Sequence, residues 1–204
     1  MALGNLFIIS APSGAGKTSL VKAVVDKLAH VSVSVSYATR GIREGEVDGE
    51  DYCFISVAEF EEKIKAGEFV EYAKVFDNYY GTSRLVMEQQ LLTGNDVILE
   101  IDWQGGQQVR RQIIGCISIF ILPPSRQELE QRLRGRGTDD EAVIQRRMQD
   151  VVTEISHYNE ADFLVINVDF DVAAAELMSI IQAQRLTLDY QQARHQQLLN
   201  KILE

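Results

Sequence analysis

The sequence contains few of the residues that build disulfide frameworks and metal centres. Of its 204 residues, two are Cys and three are His. Cys53 and Cys116 lie far apart, and neither belongs to a CxxC motif or a Cys/His cluster. This usage fits neither a disulfide-stapled domain nor a structural zinc site, so we expect two ordinary thiols.

Long hydrophobic runs are also missing from the sequence. No run approaches the roughly 20 apolar residues that a membrane-spanning helix needs. The run at residues 6–9 is too short for the core of a signal peptide, and no basic residue precedes it. We therefore expect a cytoplasmic protein with no membrane partner.

Positive charge is scarce in this chain. It has 20 Lys and Arg residues against 30 Asp and Glu residues, which gives a formal net charge of −10. A protein that binds the nucleic-acid backbone through bulk positive charge is disfavoured by this balance, and we expect no nucleic-acid partner. Any anionic ligand must instead be bound by local clusters of basic side chains.

The composition and the apolar pattern favour one globular α/β unit. Hydrophobic residues make up 46% of the chain and charged residues 25%. Short apolar runs predict buried strands at residues 6–9, 97–99, 117–122 and 163–166, and Val31, Val33 and Val35 alternate with serines as in a half-buried strand. Residues 18–28 and other intervening segments have helical patterns. This alternation predicts an α/β fold with a parallel sheet flanked by helices.

Three segments depart from this alternation. Residues 36–84 are rich in Tyr, Gly and charged residues, which suggests a small insert that serves a pocket. In residues 125–150 every basic residue is Arg, and glycines flank Arg136, which suggests a mobile segment. The tail from Gln182 onward predicts an amphipathic helix. We expect it to pack on the core, with dimerisation as the alternative.

The strongest motif lies between the first predicted strand and the first predicted helix. It is a P-loop in its required context, and it comprises Ala11, Pro12, Ser13, Gly14, Ala15, Gly16, Lys17 and Thr18. The glycines let backbone N–H groups face phosphate oxygens, Lys17 supplies charge for the β- and γ-phosphates, and Thr18 offers a hydroxyl to Mg²⁺. Ala11 replaces the first Gly of the usual pattern. The motif predicts a nucleoside triphosphate site.

Two acids follow the predicted strand at residues 97–99. Glu100 and Asp102 lie where an α/β sheet places carboxylates near the phosphates and metal of a P-loop site. Strand alternation puts both side chains on the same side. Without the P-loop, a solvated acid at a strand end would be the better interpretation.

A second group of residues predicts a site for a phosphate monoester. Arg40 and Arg43 provide two guanidinium groups, and Tyr52 adds a phenol. Alone, such a charged loop is more often a solvated surface. The later Glu71 and the stretch Asn78-Tyr79-Tyr80-Gly81-Thr82 offer a carboxylate, aromatic rings and hydroxyls that could complete a nucleotide pocket.

Taken in order, these segments resemble one family. SAPSGAGKT, SYATRGIREGEVDGEDY, FVEYAKVFDNYYGTS, EIDWQG and RLRGRGTDD followed by QRRM are similar to guanylate kinase from about residue 4 to the end. The resemblance implies transfer of the γ-phosphoryl group of ATP to GMP, and also to dGMP, in purine nucleotide metabolism. It implies a P-loop kinase core (residues 1–34, 85–124 and 151–204), a nucleoside-monophosphate-binding insert (35–84) and a helical lid (125–150).

The resemblance also implies a role for each matching residue. Lys17, Arg136 and Arg147 would act on the transferred phosphoryl group, and Arg132 and Asn167 would lie near the adenine of ATP. The phosphate of GMP would be held by Arg40, Arg43, Tyr52 and Tyr80, and its base by Ser36, Glu71, Thr82 and Asp102. Mg²⁺ would be bound at Thr18, with Glu100 or Asp102 acting through water. The family commonly has Asp where this chain has Glu100, so the role of Glu100 is open.

Chemistry supports the assignment of the base contacts. Guanine presents an acceptor at O6 and donors at N1 and N2, so carboxylates can accept from the donors while hydroxyls donate to O6. Adenine presents an acceptor at N1 and a donor in place of O6, so a carboxylate facing N1 rejects AMP.

Three other functions remain as alternatives at this stage. A catalytically silent relative would bind a protein partner in the vacated pocket, but the intact P-loop and lid arginines disfavour it. A kinase for AMP or a pyrimidine nucleotide is disfavoured by Glu71 with Asp102. A GTPase is disfavoured by the lack of an NKxD motif. The oligomeric state, monomer or homo-oligomer through the tail helix, is left open.

Overall fold

The computed structural model describes residues 3–75, 77–135 and 141–204. Its strands are β1 (Leu6–Ser10), β2 (Val31–Val33), β3 (Tyr37–Ala38), β4 (Cys53–Phe54), β5 (Phe69–Val75), β6 (Asn78–Ser83), β7 (Asp96–Glu100), β8 (Ile117–Leu122) and β9 (Phe163–Ile166). Its helices are α1 (Lys17–Lys27), α2 (Val57–Lys65), α3 (Arg84–Leu92), α4 (Trp103–Gln112), α5 (Arg126–Gly135), α6 (Glu141–Ser156), α7 (Phe170–Gln184) and α8 (Leu188–Leu203), and a 3₁₀ turn covers His157–Glu160.

The central sheet is parallel, and its strand order is β2-β7-β1-β8-β9. All five residues of β1 are buried, as expected for the middle strand of a sheet covered on both faces. Apolar residues of α1 and α7 pack on one face, and residues of α3 and α4 pack on the other. The predicted α/β fold with a parallel sheet flanked by helices is confirmed. β2 ends at Val33, so Val35, which was predicted to belong to this strand, lies outside it.

A second sheet is formed within residues 37–83, with the order β4-β3-β6-β5. β6 runs antiparallel to both β3 and β5, whereas β3 and β4 are parallel. Helix α4 of the central layer borders the edge strand β5. The side-chain amide of Gln108 accepts from the backbone N–H of Tyr72 at 3.1 Å and donates to its carbonyl at 2.7 Å. Gln112 donates to the carbonyl of Val70 at 2.8 Å. These bonds fix the second sheet against the core.

Helices α5 and α6 share a small apolar cluster of their own. It contains Leu129 and Leu133 of α5 and Ile144, Met148 and Val151 of α6. A pair of helices packed in this way can move as one body, because its apolar contacts are internal.

The tail of the chain does not pack on the core as predicted, so that prediction was wrong. The helical tail is split into α7 and α8, and within α8, which the structure describes in full, no residue is buried. Leu198 and Ile202 are 55% and 69% exposed. The physical reason is that α1 and α7 already cover one face of the central sheet, so no apolar surface of that face remains for α8 to pack on. In the described parts of the chain, no helix has the length and apolar character that crossing a bilayer requires.

A buried ion pair joins the far end of the sheet to α7. Asp96 is 1% exposed. Its Oδ2 accepts from Nε of Arg185 at 2.7 Å, and its Oδ1 accepts from the backbone and side chain of Asn5 at 2.7 and 3.0 Å. Nη2 of Arg185 also donates to the carbonyls of Ala29 and His30. The pair of Asp96 and Arg185 therefore connects β7 and the end of α7 to the residues that precede β1 and β2.

We expect Asp96→Ala to lower the free energy of unfolding by about 3 kcal/mol, because it removes a buried carboxylate together with its bonds to Arg185 and Asn5. Urea unfolding followed by circular dichroism measures the loss. Asp26→Ala, at an exposed position of α1, serves as the control and should change stability by less than about 0.5 kcal/mol. Equal losses in the two variants would contradict the role of the Asp96 ion pair.

Candidate active site

The P-loop forms the turn from β1 to α1. Gly14 and Gly16 have φ values of 93° and 95°, which L side chains rarely adopt. The N–H of Ala15 donates to the carbonyl of Pro12 at 3.1 Å, which closes the turn. Gly16 is the N-cap of α1 and has no side chain to satisfy the first amides of the helix. The first backbone N–H groups of α1 are therefore available to an anion.

Two residues predicted to lie near adenine are linked to the P-loop by hydrogen bonds. Nδ2 of the buried Asn167 donates to the carbonyl of Ala15 at 2.7 Å. A Cβ placed on Gly16 would lie 2.5 Å from this Nδ2, so the loop and the amide need a glycine between them. Nη2 of Arg132 donates to the carbonyl of Asn167 at 3.3 Å. The structure therefore joins Arg132 and Asn167 to each other and to the loop.

One large cavity, of about 670 Å³, lies in front of the P-loop. Its lining includes these residues predicted for the nucleotides: Ala11, Pro12, Ser13, Gly14, Gly16, Lys17, Thr18, Ser36, Arg40, Arg43, Tyr52, Glu71, Tyr80, Glu100, Asp102 and Arg147. Among the described residues, Ala15, Thr82, Arg132 and Asn167 lie outside this lining. Arg136 lies outside the part of the chain that the structure describes. The cavity thus joins the two groups of residues that the sequence linked to two nucleotides.

At the end of the cavity formed by the second sheet, Arg40 is held by an acid. Nη1 and Nη2 of Arg40 each donate to a different carboxylate oxygen of Glu46, both at 2.6 Å. This bond lowers the pKa of Glu46 and raises that of Arg40. The guanidinium carbon lies 4.9 Å from the ring centroid of Tyr52. Glu46 belongs to an acidic run that is typical of a solvated loop, and no motif distinguished it from its neighbours.

The best-shielded acid of the cavity is Glu71, which is 4% exposed. Its Oε1 accepts from Oγ1 of Thr82 at 2.6 Å, and that hydroxyl lies 3.4 Å from Oγ of Ser36. Burial raises the pKa of Glu71 from its ordinary 4.5 to about 7, nearby Asp102 adds to the rise, and Lys17 opposes it. Thr82 is buried beneath Glu71 and orients it. The cavity thus contains hydroxyls and carboxylates side by side.

The two acids after β7 reach the cavity in different ways. Glu100 ends the strand, and its Oε2 accepts from Oγ1 of Thr18 at 3.0 Å. Asp102 is the N-cap of α4, and its Oδ1 accepts from the N–H of Gly105 at 2.8 Å. Between them, the carbonyl of Ile101 accepts from Nζ of Lys17 at 3.4 Å. Glu100 therefore lies beside the P-loop hydroxyl, and Asp102 lies on the side of Glu71.

Helix α6 brings a further acid that the sequence analysis missed. Oε2 of Glu154 accepts from the backbone N–H of Ser13 at 3.1 Å, and Nη1 of Arg147 donates to Oγ of the same serine at 3.3 Å. Burial raises the pKa of Glu154, Asp102 and Asp150 add to the rise, and Lys17 opposes it. The spacing of seven residues from Arg147, two helical turns, is the signal that could have found Glu154.

Comparisons with known proteins identify the family of the chain. The sequence model of the guanylate kinase family matches residues 4–184. The chain belongs to the guanylate kinase family. The guanylate kinase of Methylococcus capsulatus is 55% identical over 203 residues and covers 100% of both chains. That of Escherichia coli strain K12 is 54% identical over 205 residues, which is 100% of this chain and 99% of the relative.

A solved guanylate kinase has the same fold. The crystal structure of guanylate kinase from Anaplasma phagocytophilum is 31% identical to this chain, with a TM-score of 0.75, and the match covers 92% of this chain and 89% of the other. The resemblance to guanylate kinase and the P-loop kinase fold are thereby confirmed. As a member of the guanylate kinase family, the chain is a transferase that phosphorylates GMP with ATP as co-substrate.

We expect Glu154→Gln to lower KM for ATP by about fivefold, roughly 1 kcal/mol of binding free energy. The variant removes a negative charge from the P-loop amide that would otherwise face phosphate. Steady-state kinetics at saturating GMP measure the effect. Glu176→Gln, at an exposed position of α7, makes the same charge change far from the loop and should leave KM unchanged. An unchanged KM in Glu154→Gln would contradict this expectation.

Proposed function

We propose that the cavity binds ATP at the P-loop and GMP on the side of the second sheet, and that phosphoryl transfer takes place between them. The observation that carries the proposal is that one cavity is lined by both the P-loop and the buried acid Glu71, which Thr82 orients from outside the lining. Transfer of this kind needs alignment and charge neutralisation, so we propose direct in-line transfer without a covalent enzyme intermediate.

The proposed site for the GMP phosphate consists of Arg40, Arg43, Tyr52 and Tyr80. Glu46 presets the guanidinium of Arg40 by two hydrogen bonds, which reduces the entropy lost when a phosphate binds. Burial raises the pKa of Tyr52, so its phenol stays protonated and can donate to a phosphate oxygen. The rings of Tyr52 and Tyr80 lie edge to face, with centroids 6.0 Å apart, which keeps both phenols on this side.

The proposed site for guanine consists of Ser36, Glu71, Thr82 and Asp102. The carboxylates of Glu71 and Asp102 accept from N1–H and N2–H, and a hydroxyl donates to O6. Adenine would place its N1 lone pair against a carboxylate and leave buried acceptors unpaired, which is the strongest kind of discrimination that a pocket can make. Since these contacts go to the base and the phosphate, we expect dGMP to be accepted as well.

The proposed ATP site has oxygen donors that suit Mg²⁺. The hydroxyl of Thr18 and the carboxylate of Glu100 lie within hydrogen-bond distance of each other, and Mg²⁺ prefers such oxygens together with those of phosphates. Among the described residues, no cluster of three or more His, Cys, Asp or Glu side chains could hold a metal alone. The contact with Thr18 favours Glu100 over Asp102 as the acid at this site. When bound, Mg²⁺ neutralises phosphate charge.

Closure of the site is assigned to two parts of the chain. We propose residues 35–84 as the GMP-binding insert and residues 125–150 as the lid, with residues 1–34, 85–124 and 151–204 as the core. Lys17 would remain on the P-loop, and Arg147 and Arg136 would approach the migrating phosphoryl group as the lid closes and expels water. Arg132 and Asn167, joined to the loop, would border the adenine. We expect the reaction in the cytoplasm, a prediction that rests on the sequence alone.

The acceptor specificity tests this proposal. ADP formation from ATP and Mg²⁺ is measured with GMP, AMP, CMP and UMP at equal concentration, and strong turnover is expected with GMP alone. In Glu71→Gln the preference for GMP over AMP should fall by about tenfold or more, because an amide can offer a donor to adenine N1. Unchanged discrimination in this variant would show that Glu71 does not read the base.

The pKa of Glu71 predicts a pH dependence of GMP binding. The carboxyl group titrates near pH 7 in the free protein, but it must be ionised to accept from N1–H and N2–H. GMP binding should therefore release a proton below pH 7, and the affinity should rise between pH 6 and pH 8. Calorimetry of GMP binding in buffers of different ionisation enthalpy measures the number of protons released. In Glu71→Gln, position 71 does not titrate, so the pH dependence that remains comes from the GMP phosphate. If the affinity for GMP rises equally with pH in this variant and in the parent protein, the prediction is contradicted.

A further inference from the structure

Two adjacent glycines, Gly105 and Gly106, lie in the first turns of α4. Glycine is the poorest helix former after proline, so two of them side by side need a physical reason. Asp102 is the N-cap of the helix, which makes Gly105 its third residue and Gly106 its fourth. Both are buried.

The space around the two glycines differs. A Cβ on Gly105 would lie 2.5 Å from Oε2 of Glu71, which is closer than non-bonded atoms approach, and 3.1 Å from its Cδ, which is a tight contact. A Cβ on Gly106 would lie 3.5 Å from Cγ2 of Ile8 and 3.7 Å from Oγ of Ser10, which are ordinary contact distances. Of these two glycines, only Gly105 has a neighbour that leaves no room for a side chain. That neighbour is the carboxylate of Glu71.

The backbone of Gly105 also contacts the second acid of the proposed guanine site. Its N–H donates to Oδ1 of Asp102 at 2.8 Å. The same residue thus binds Asp102 through its N–H and leaves room for Glu71 through its lack of a side chain. Every other residue except proline, which has no N–H, would keep the bond to Asp102 but would fill the space that Glu71 needs.

The side chain of Glu71 has few alternative conformations. It is 4% exposed, and its Oε1 is bound to Thr82. Its strand is fixed to α4 by the two bonds between Gln108 and Tyr72. A Cβ at Gly105 would therefore displace the end of the Glu71 side chain, because the backbone on both sides is tied. The carboxylate would turn while the fold remains.

We propose that Gly105 is a positioning residue that sets the specificity for guanine by holding the carboxylates of Glu71 and Asp102 in one orientation. The inference rests on the proposed reading of guanine by these two acids. It adds a residue that contacts neither nucleotide and acts through the acids alone.

The test compares Gly105→Ala with the matched control Gly106→Ala. Both variants add one methyl group to the same helix and should favour helix formation equally. For Gly105→Ala, we expect KM for GMP to rise about tenfold or more and the preference for GMP over AMP to fall by a similar factor. In Gly105→Ala, KM for ATP should change by less than about twofold. In Gly106→Ala, KM for GMP, KM for ATP and the preference for GMP over AMP should each change by less than about twofold.

A shorter acid should relieve the collision. Glu71→Asp withdraws the carboxylate by one methylene and makes room for a methyl group at position 105. The double variant Glu71→Asp with Gly105→Ala is therefore expected to lose less GMP affinity than the two single losses combined. If Gly105→Ala does not fold, the double variant decides, and it is expected to fold and to bind GMP.

The outcomes separate this inference from the proposed function. Equal losses in Gly105→Ala and Gly106→Ala, full additivity in the double variant, or an unchanged KM for GMP in Gly105→Ala would each overturn the role of Gly105. If Glu71→Gln leaves discrimination unchanged, the reading of guanine itself fails. If Glu71→Gln loses discrimination and Gly105→Ala retains it, only the role of Gly105 fails.

Discussion

The carboxyl end of the central parallel sheet determines where the P-loop, Glu100, Asp102 and Asn167 lie. β1 ends at Ser10 and continues into the P-loop, β7 ends at Glu100 and leads to Asp102, and β9 is followed by Asn167. Because parallel strands all end at the same edge, the turns after them meet in space although they are far apart in the chain. Asn167 and Ala15 are hydrogen-bonded across this edge. The shape of the P-loop therefore depends on strands that are not its neighbours in sequence.

The proposed function requires the cavity to bind two anionic nucleotides in a protein that carries a net charge of −10. Its lining contains acids as well as bases: Glu46, Asp51, Glu71, Glu100, Asp102 and Glu154 with Lys17, Arg40, Arg43, Arg146 and Arg147. Three of these acids have local partners: Arg40 for Glu46, the Thr82 hydroxyl for Glu71 and the Ser13 amide for Glu154. Pairing of this kind orients donors and acceptors individually, which favours selection between nucleotides over general attraction to phosphate.

The sequence predicted the parts of the site whose chemistry depends on local spacing. The P-loop was recognisable because Gly16-Lys17-Thr18 follows a strand and begins a helix, and the buried strands were recognisable as short apolar runs. Glu154 and Gly105 were not predicted, since their importance depends on the residues that face them from other elements. Glu46 was hidden among similar acids for the same reason. The packing of α8 was predicted wrongly, because periodicity shows that a helix has an apolar face but not whether a surface remains to receive it.

The glutamine side chains of α4 have a consequence for the second sheet as a whole. β5 is one of its two edge strands, and an edge strand presents backbone groups that another extended chain could bind. The amide of Gln108 has the same donor and acceptor as a peptide group, and it bonds to both backbone groups of Tyr72 in place of a fifth strand. At this point a helix therefore completes the ladder with a side chain. The sheet ends there in a form that resists extension by a second molecule.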